Sequence, residues 1–139
     1  MTAPTLETLY FTAITSESRW SQSSSPLSLY IQYADVPRPD FTPKTYQTLV
    51  QGSRPAGKAM SWTIDLPENV YYIMRLTLII SGNDLWLPKY LDIHTKDTDG
   101  YCYPVVEFDN WPERRDTTWS TDPSEGSPEI QVFPLIMAS

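Results

Sequence analysis

Cysteine, histidine and glycine are scarce in this sequence, and each scarcity removes a class of explanation. The single cysteine, Cys102, excludes an internal disulfide and any cysteine-rich zinc site, and the single histidine, His94, excludes a multi-histidine metal site. Basic residues are also few. Ten Lys and Arg stand against 17 Asp and Glu, giving a formal net charge of -7. With no basic stripe, a phosphate backbone would be repelled, so nucleic acid is excluded as a partner. No long apolar run exists: the longest, around Leu76 to Ile80, falls far short of the roughly 20 residues that span a bilayer, so no transmembrane segment is expected. Met1 to Tyr10 has neither a basic n-region nor an apolar h-region. The expectation is synthesis in the cytoplasm, with leaderless export as the remaining route outward.

What is present points to one globular β domain over residues 1–139. Hydrophobic residues make up 40% and charged residues only 19%, enough apolar material for one core. The 13 prolines against 5 glycines favour short elements joined by stiff loops, because proline has no N–H to give to a helix interior or a central strand. Period-2 alternation between turn signals then predicts about eight strands. They lie at Leu9 to Thr15, Leu27 to Tyr33, Tyr46 to Val50, Met60 to Leu66, Tyr71 to Ser81, Leu85 to Thr95, Tyr101 to Phe108 and Ile130 to Leu135. Pro67 to Asn69 reads as a turn, and Pro88, inside the sixth run, predicts an edge position or a bulge. No window shows a helical stripe. The predicted fold class is all-β, a two-sheet antiparallel β-sandwich with aromatic side chains between the sheets.

The stretch Leu76 to Trp111 carries a further pattern. A strand TLIISGND leads to LWLPKYLDIHT, a polar turn DTDG, then YCYPVVEF and DNW. Trp86, Leu91, Ile93, Gly100, Tyr103, Phe108 and Trp111 fill the places of a Trp, a strand, a glycine turn, and a strand ending in Phe just before a Trp. This resembles the second half of a PLAT domain, the lipoxygenase-homology β-sandwich. The N-terminal half departs from it, having a Ser-rich, Trp20-bearing segment where the family has an acidic, glycine-containing loop. The resemblance implies an eight-strand sandwich and a binding role rather than an enzymatic one.

Enzymatic constellations are thin. His94 beside Asp92 has no Gly-x-Ser-x-Gly elbow to present a nucleophile, and Glu107 with Asp109 is a carboxylate spacing too common in strands to be specific. Cys102, between two tyrosines, reads as a small buried apolar residue. The expectation is that the chain is not an enzyme. The loop acids suggest calcium, a hard cation that takes several oxygens from converging loops. Asp84, Asp97, Asp99 and Asp109 are the predicted ligands, and calcium the one cofactor considered. The partner-binding set is read from loop aromatics and arginines. Trp20, Trp111 and Trp119 fall outside the strand patterns, and Arg114 and Arg115 stand between the last two in the non-periodic segment Asp109 to Pro128.

Together these give a non-catalytic, PLAT-like binding module whose end loops engage a membrane surface or a protein, with calcium bridging acidic loops to anionic headgroups. The rival reading is a small acidic interaction protein, such as an immunity protein, an inhibitor or a toxin-assembly component, docking on a basic protein partner.

Overall fold

The computed structural model describes residues 4–17, 23, 25–40, 42–50 and 52–134. Eight strands run in chain order: β1 Leu6–Thr15, β2 Leu27–Ala34, β3 Lys44–Val50, β4 Ala59–Val70, β5 Tyr72–Ile80, β6 Pro88–Asp97, β7 Cys102–Phe108 and β8 Glu129–Phe133. They form two four-stranded antiparallel sheets, ordered β4-β1-β6-β7 and β3-β2-β5-β8. The all-β sandwich is therefore the fold. Among the described residues no helix is long and apolar enough to cross a membrane.

Alternation decides what each strand buries. Leu9, Phe11 and Ala13 on β1, and Leu91 and Ile93 on β6, point into the layer between the sheets. Leu27, Leu29 and Ile31 on β2, and Leu76, Leu78 and Ile80 on β5, meet them from the other side. Residues of the opposite parity, such as Tyr10, Thr12, Tyr30 and Gln32, line the two outer faces. Trp62 on the edge strand β4 is half-buried and meets Phe11 edge-on at 5.0 Å.

The prolines act where their missing N–H does least harm. Pro88 opens β6 at a register irregularity opposite Thr15, so the strand is central but begins there rather than at Leu85. Pro67 lies in β4, which does not turn at Pro67 to Asn69 as the sequence suggests. Its pairing with β1 jumps from Asp65↔Thr8 to Val70↔Leu6, a bulge that Asn69 completes at φ 64. The chain crosses between sheets one step later, at Tyr71, whose N–H donates to Ala34 O.

Each strand reverses the chain, so the connections alternate between two ends. The described residues of segments 16–26 and 51–58, together with 81–87 and 109–128, meet at the end where β1 finishes. The described residues of segment 35–43, with 71 and 98–101, meet at the other, with the end of β8.

Candidate functional site

The end holding segment 109–128 is built on indoles. Trp119 is 0% exposed, Trp86 is 0% and Trp111 is 5%. Trp119 and Trp86 exchange backbone hydrogen bonds at 2.8 and 2.9 Å, an isolated bridge that clamps the long segment to the start of β6. Trp111 stacks on Trp119 at 5.5 Å and meets Phe108 edge-on at 5.2 Å. Each of these three indole N–H groups finds an acceptor: Trp86 on Thr15 Oγ1, Trp111 on Thr117 O and Trp119 on Leu78 O. Gly126 closes the segment so tightly that a Cβ there would lie 2.2 Å from Thr118 O.

These facts correct the sequence expectation for Trp111 and Trp119. They are core residues, not exposed contacts, because the energetic gain of burying an indole with its N–H satisfied outweighs leaving it in a loop. Trp20 lies outside the described residues. Arg114 and Arg115 are exposed, as expected, but engaged: Arg114 Nε is 3.2 Å from Asp116, and Arg115 donates to Pro123 O. They border a recess of about 410 Å³ whose rim also carries Glu113 and Glu125. Surface pairs of this kind contribute at most about 1 kcal/mol.

Arg54 is the residue that sequence reasoning missed here. It is 1% exposed, 5.4 Å above the Trp86 ring, and its two terminal nitrogens donate to Gly52 O, Ser23 Oγ and Ser25 O. Its Nε has no partner among the described residues. Burial holds its pKa down to about 10, against the opposing pull of Asp84.

The four predicted calcium ligands do not converge. Asp84 and Asp109 lie at the tryptophan end, Asp97 and Asp99 at the other, separated by the ten residues of β6, roughly 30 Å at about 3.3 Å per residue. No three His, Cys, Asp or Glu side chains among the described residues group as a metal site. Asp97 is also already occupied. Its Oδ1 accepts from the N–H groups of Asp99 and Tyr101, and its Oδ2 from the Tyr103 hydroxyl. Burial alone would raise its pKa, but the Tyr101 N–H, the Tyr103 hydroxyl and the Asp99 and Gly100 N–H groups together hold it below the ordinary 3.8.

A pH dependence follows. A depressed carboxylate pKa stabilises the fold above its unfolded value and loses that stabilisation as pH falls through the folded one. The wild-type melting temperature should therefore fall as pH drops below about 4. Asp97→Asn should melt several degrees lower at neutral pH and show a flatter acid limb. Parallel acid limbs in the two proteins would show that Asp97 does not carry this effect.

Among the described residues, the end that holds Asp97 is the one with strongly exposed aromatics. Tyr101 is 66% exposed, Tyr72 is 49% and Tyr103 is 45%. Between Tyr72 and Tyr103 lies an apolar recess of about 250 Å³, floored by Leu6, Ile73, Val105 and Phe133. The Tyr103 hydroxyl donates to Asp97 Oδ2 at 2.9 Å, which orients the ring at the rim; that hydrogen bond first, and then burial, raise its pKa. Tyr72 donates to Pro37 O at 3.4 Å.

A scan against family models and a search of curated proteins find no match to this chain. The site must therefore be read from its own chemistry.

The remaining sequence candidates lie on the outer face of the first sheet. His94 Nδ1 is 2.8 Å from Asp92 Oδ2, the His–Asp half of a triad. The cross-strand neighbours of His94 are Tyr10 and Pro104, so its register row presents no serine or cysteine nucleophile. Glu107 stands directly opposite Asp92. Burial, then the charges of Asp92, Asp109 and Glu107, raise the pKa of Tyr90 beside them. Cys102 is exposed rather than buried, because it opens the edge strand β7 opposite Lys96.

Proposed function

We propose that the chain is a non-catalytic binding module, PLAT-like in the sense the sequence resemblance implies, that places its tyrosine end on a lipid interface. The observation that carries this reading is the coincidence of exposed Tyr72, Tyr101 and Tyr103 with an apolar recess at one end of the sandwich. Tyrosine suits such a boundary, since its ring enters the apolar layer while its hydroxyl stays wet. The net charge of -7 disfavours anionic headgroups, so a zwitterionic surface is the better partner. With Asp97 occupied and Asp84 and Asp109 at the far end, this reading assigns no role to calcium.

Co-sedimentation with phosphatidylcholine vesicles, and with vesicles containing phosphatidylserine, each in calcium and in EDTA, tests it. Binding should favour the zwitterionic vesicles and be equal in calcium and EDTA. Tyr72→Ser and Tyr101→Ser should each weaken partitioning roughly fivefold, the equivalent of about 1 kcal/mol of buried ring. Failure to sediment with any vesicle would remove the lipid interface from consideration.

A second reading has its own observation. Asp92 and Glu107 stand side by side on the outer face of the first sheet, and both, like Asp109, lie close enough to Tyr90 to act on it. Like charges directly opposite one another are destabilising in the free protein, and a basic protein partner would relieve them. Association that weakens with salt and with Glu107→Gln would favour this alternative.

A further inference from the structure

The outer face of the second sheet has a different chemistry from either end and from the other outer face. Register places Gln47, Tyr30, Thr77 and Gln131 side by side across its four strands, with Thr45, Gln32 and Arg75 in the next row. Around these rows lies a recess of about 330 Å³ lined by Tyr30, Gln32, Arg75, Thr77, Glu129 and Gln131. Thr77, Gln32 and Gln131 are half-buried in it, and the Tyr30 ring is 36% exposed.

These side chains are not spent on one another. Among the described residues, Gln131 alone of the six donates a side-chain hydrogen bond within the protein, to Pro134 O, and no ion pair joins Arg75 to Glu129. The recess holds one formal positive and one formal negative charge, so it is neutral in a chain of net charge -7. The first sheet instead presents Asp92 and Glu107 together.

The ligand this set fits can be argued by elimination and by match. An acyl chain needs apolar walls, and of the six residues lining the recess Tyr30 alone offers a large apolar surface, with exposed Leu49 one row away outside it. A phosphate backbone needs several cations, and Arg75 is alone. Amides, a hydroxyl, a guanidinium and a carboxylate around one flat ring offer donors and acceptors in near balance. That balance matches a molecule with one apolar C–H face and a rim of uncharged hydroxyls. Neighbouring strands lie about 4.8 Å apart, so adjacent hydroxyls on one ring can reach side chains on different strands.

We propose that this face binds a neutral carbohydrate, with a pyranose ring stacked on Tyr30 and its hydroxyls shared among Gln32, Thr77, Gln131, Arg75 and Glu129. The site is separate from the tyrosine end and stands whether or not the lipid reading does.

Affinity electrophoresis through gels containing hydroxyethylcellulose, xylan, mannan, β-1,3-glucan or amylose tests the proposal, with heparin as the charged comparison and an array of neutral oligosaccharides for breadth. Retardation by at least one neutral polysaccharide is expected. Tyr30→Ala and Gln32→Ala should each weaken it by about tenfold. Tyr10→Ala, on the opposite outer face, should leave it unchanged. All three replaced side chains face outward, so unaltered melting curves would separate lost binding from lost folding. Retention by heparin alone, retention that survives Tyr30→Ala, or no retention and no array signal for any neutral glycan would each overturn it.

Discussion

Replacing Trp119 by alanine is expected to cost ~3–5 kcal/mol of stability, enough to leave a chain of this size marginal or unfolded. The reasons are independent and fall on one residue. Its ring is fully buried between Trp86 and Trp111, so truncation opens a cavity that two other indoles cannot close without moving. Its indole N–H satisfies Leu78 O on the central strand β5, and that carbonyl would be left buried without this donor. Its backbone pair with Trp86 fixes the long segment 109–128 at the point where Ser127 also bridges. Trp119→Phe should separate these contributions. It keeps most of the ring and loses the donor, so about 1–3 kcal/mol is expected. Urea unfolding followed by far-UV circular dichroism would measure both. A Trp119→Ala midpoint within experimental error of wild type would mean the segment does not close the core.

The strands were legible in the sequence because burial on one face of a sheet imposes period 2, and that period survives in the amino-acid order. Leu27, Leu29 and Ile31 alternate with Ser28 and Tyr30 in the sequence, and the structure buries the first set and turns the second outward. The tryptophans of the long segment were not legible, because nothing local sets their destination. The acceptor of the Trp119 indole lies 41 residues away. Arg54 was silent for the same reason: its acceptors come partly from Ser23 and Ser25, and only the folded β2–β3 ladder brings them beneath it.

In an antiparallel sandwich whose every connection reverses the chain, odd-numbered loops share one end and even-numbered loops the other. Counting the predicted strands alone places Asp84 and Asp109 in the fifth and seventh loops and Asp97 and Asp99 in the sixth. That parity separates the proposed calcium ligands without any coordinates. It also places Tyr71, Tyr72 and Tyr101 beside the fourth and sixth loops, and so foretells an aromatic end. The recess on the second sheet needed more than parity, because its rows depend on strand order. The β3-β2-β5-β8 arrangement is what sets Tyr30 and Gln131 on either side of Thr77.

The second large effect is expected at Arg54, where two substitutions should differ. A buried guanidinium carries a desolvation cost, visible in its lowered pKa, and only well-placed acceptors offset it. Arg54→Ala removes the stack on Trp86, opens a cavity and strips donors from Gly52 O, Ser23 Oγ and Ser25 O, so a loss of ~3–5 kcal/mol is expected. Arg54→Met removes the same donors but also the buried charge, and its flexible thioether refills most of the space against the indole. Its cost should therefore be less than half that of alanine. Arg54→Lys keeps a charge but has no planar fork to reach acceptors on both flanking segments, so it should resemble alanine more than methionine. Chemical denaturation of the three variants, with hydrogen exchange at Ser23 and Gly57 as a local probe, would decide it. If methionine and alanine prove equally damaging, the hydrogen bonds rather than the packing hold Ser23 and Ser25 to the turn that carries Arg54.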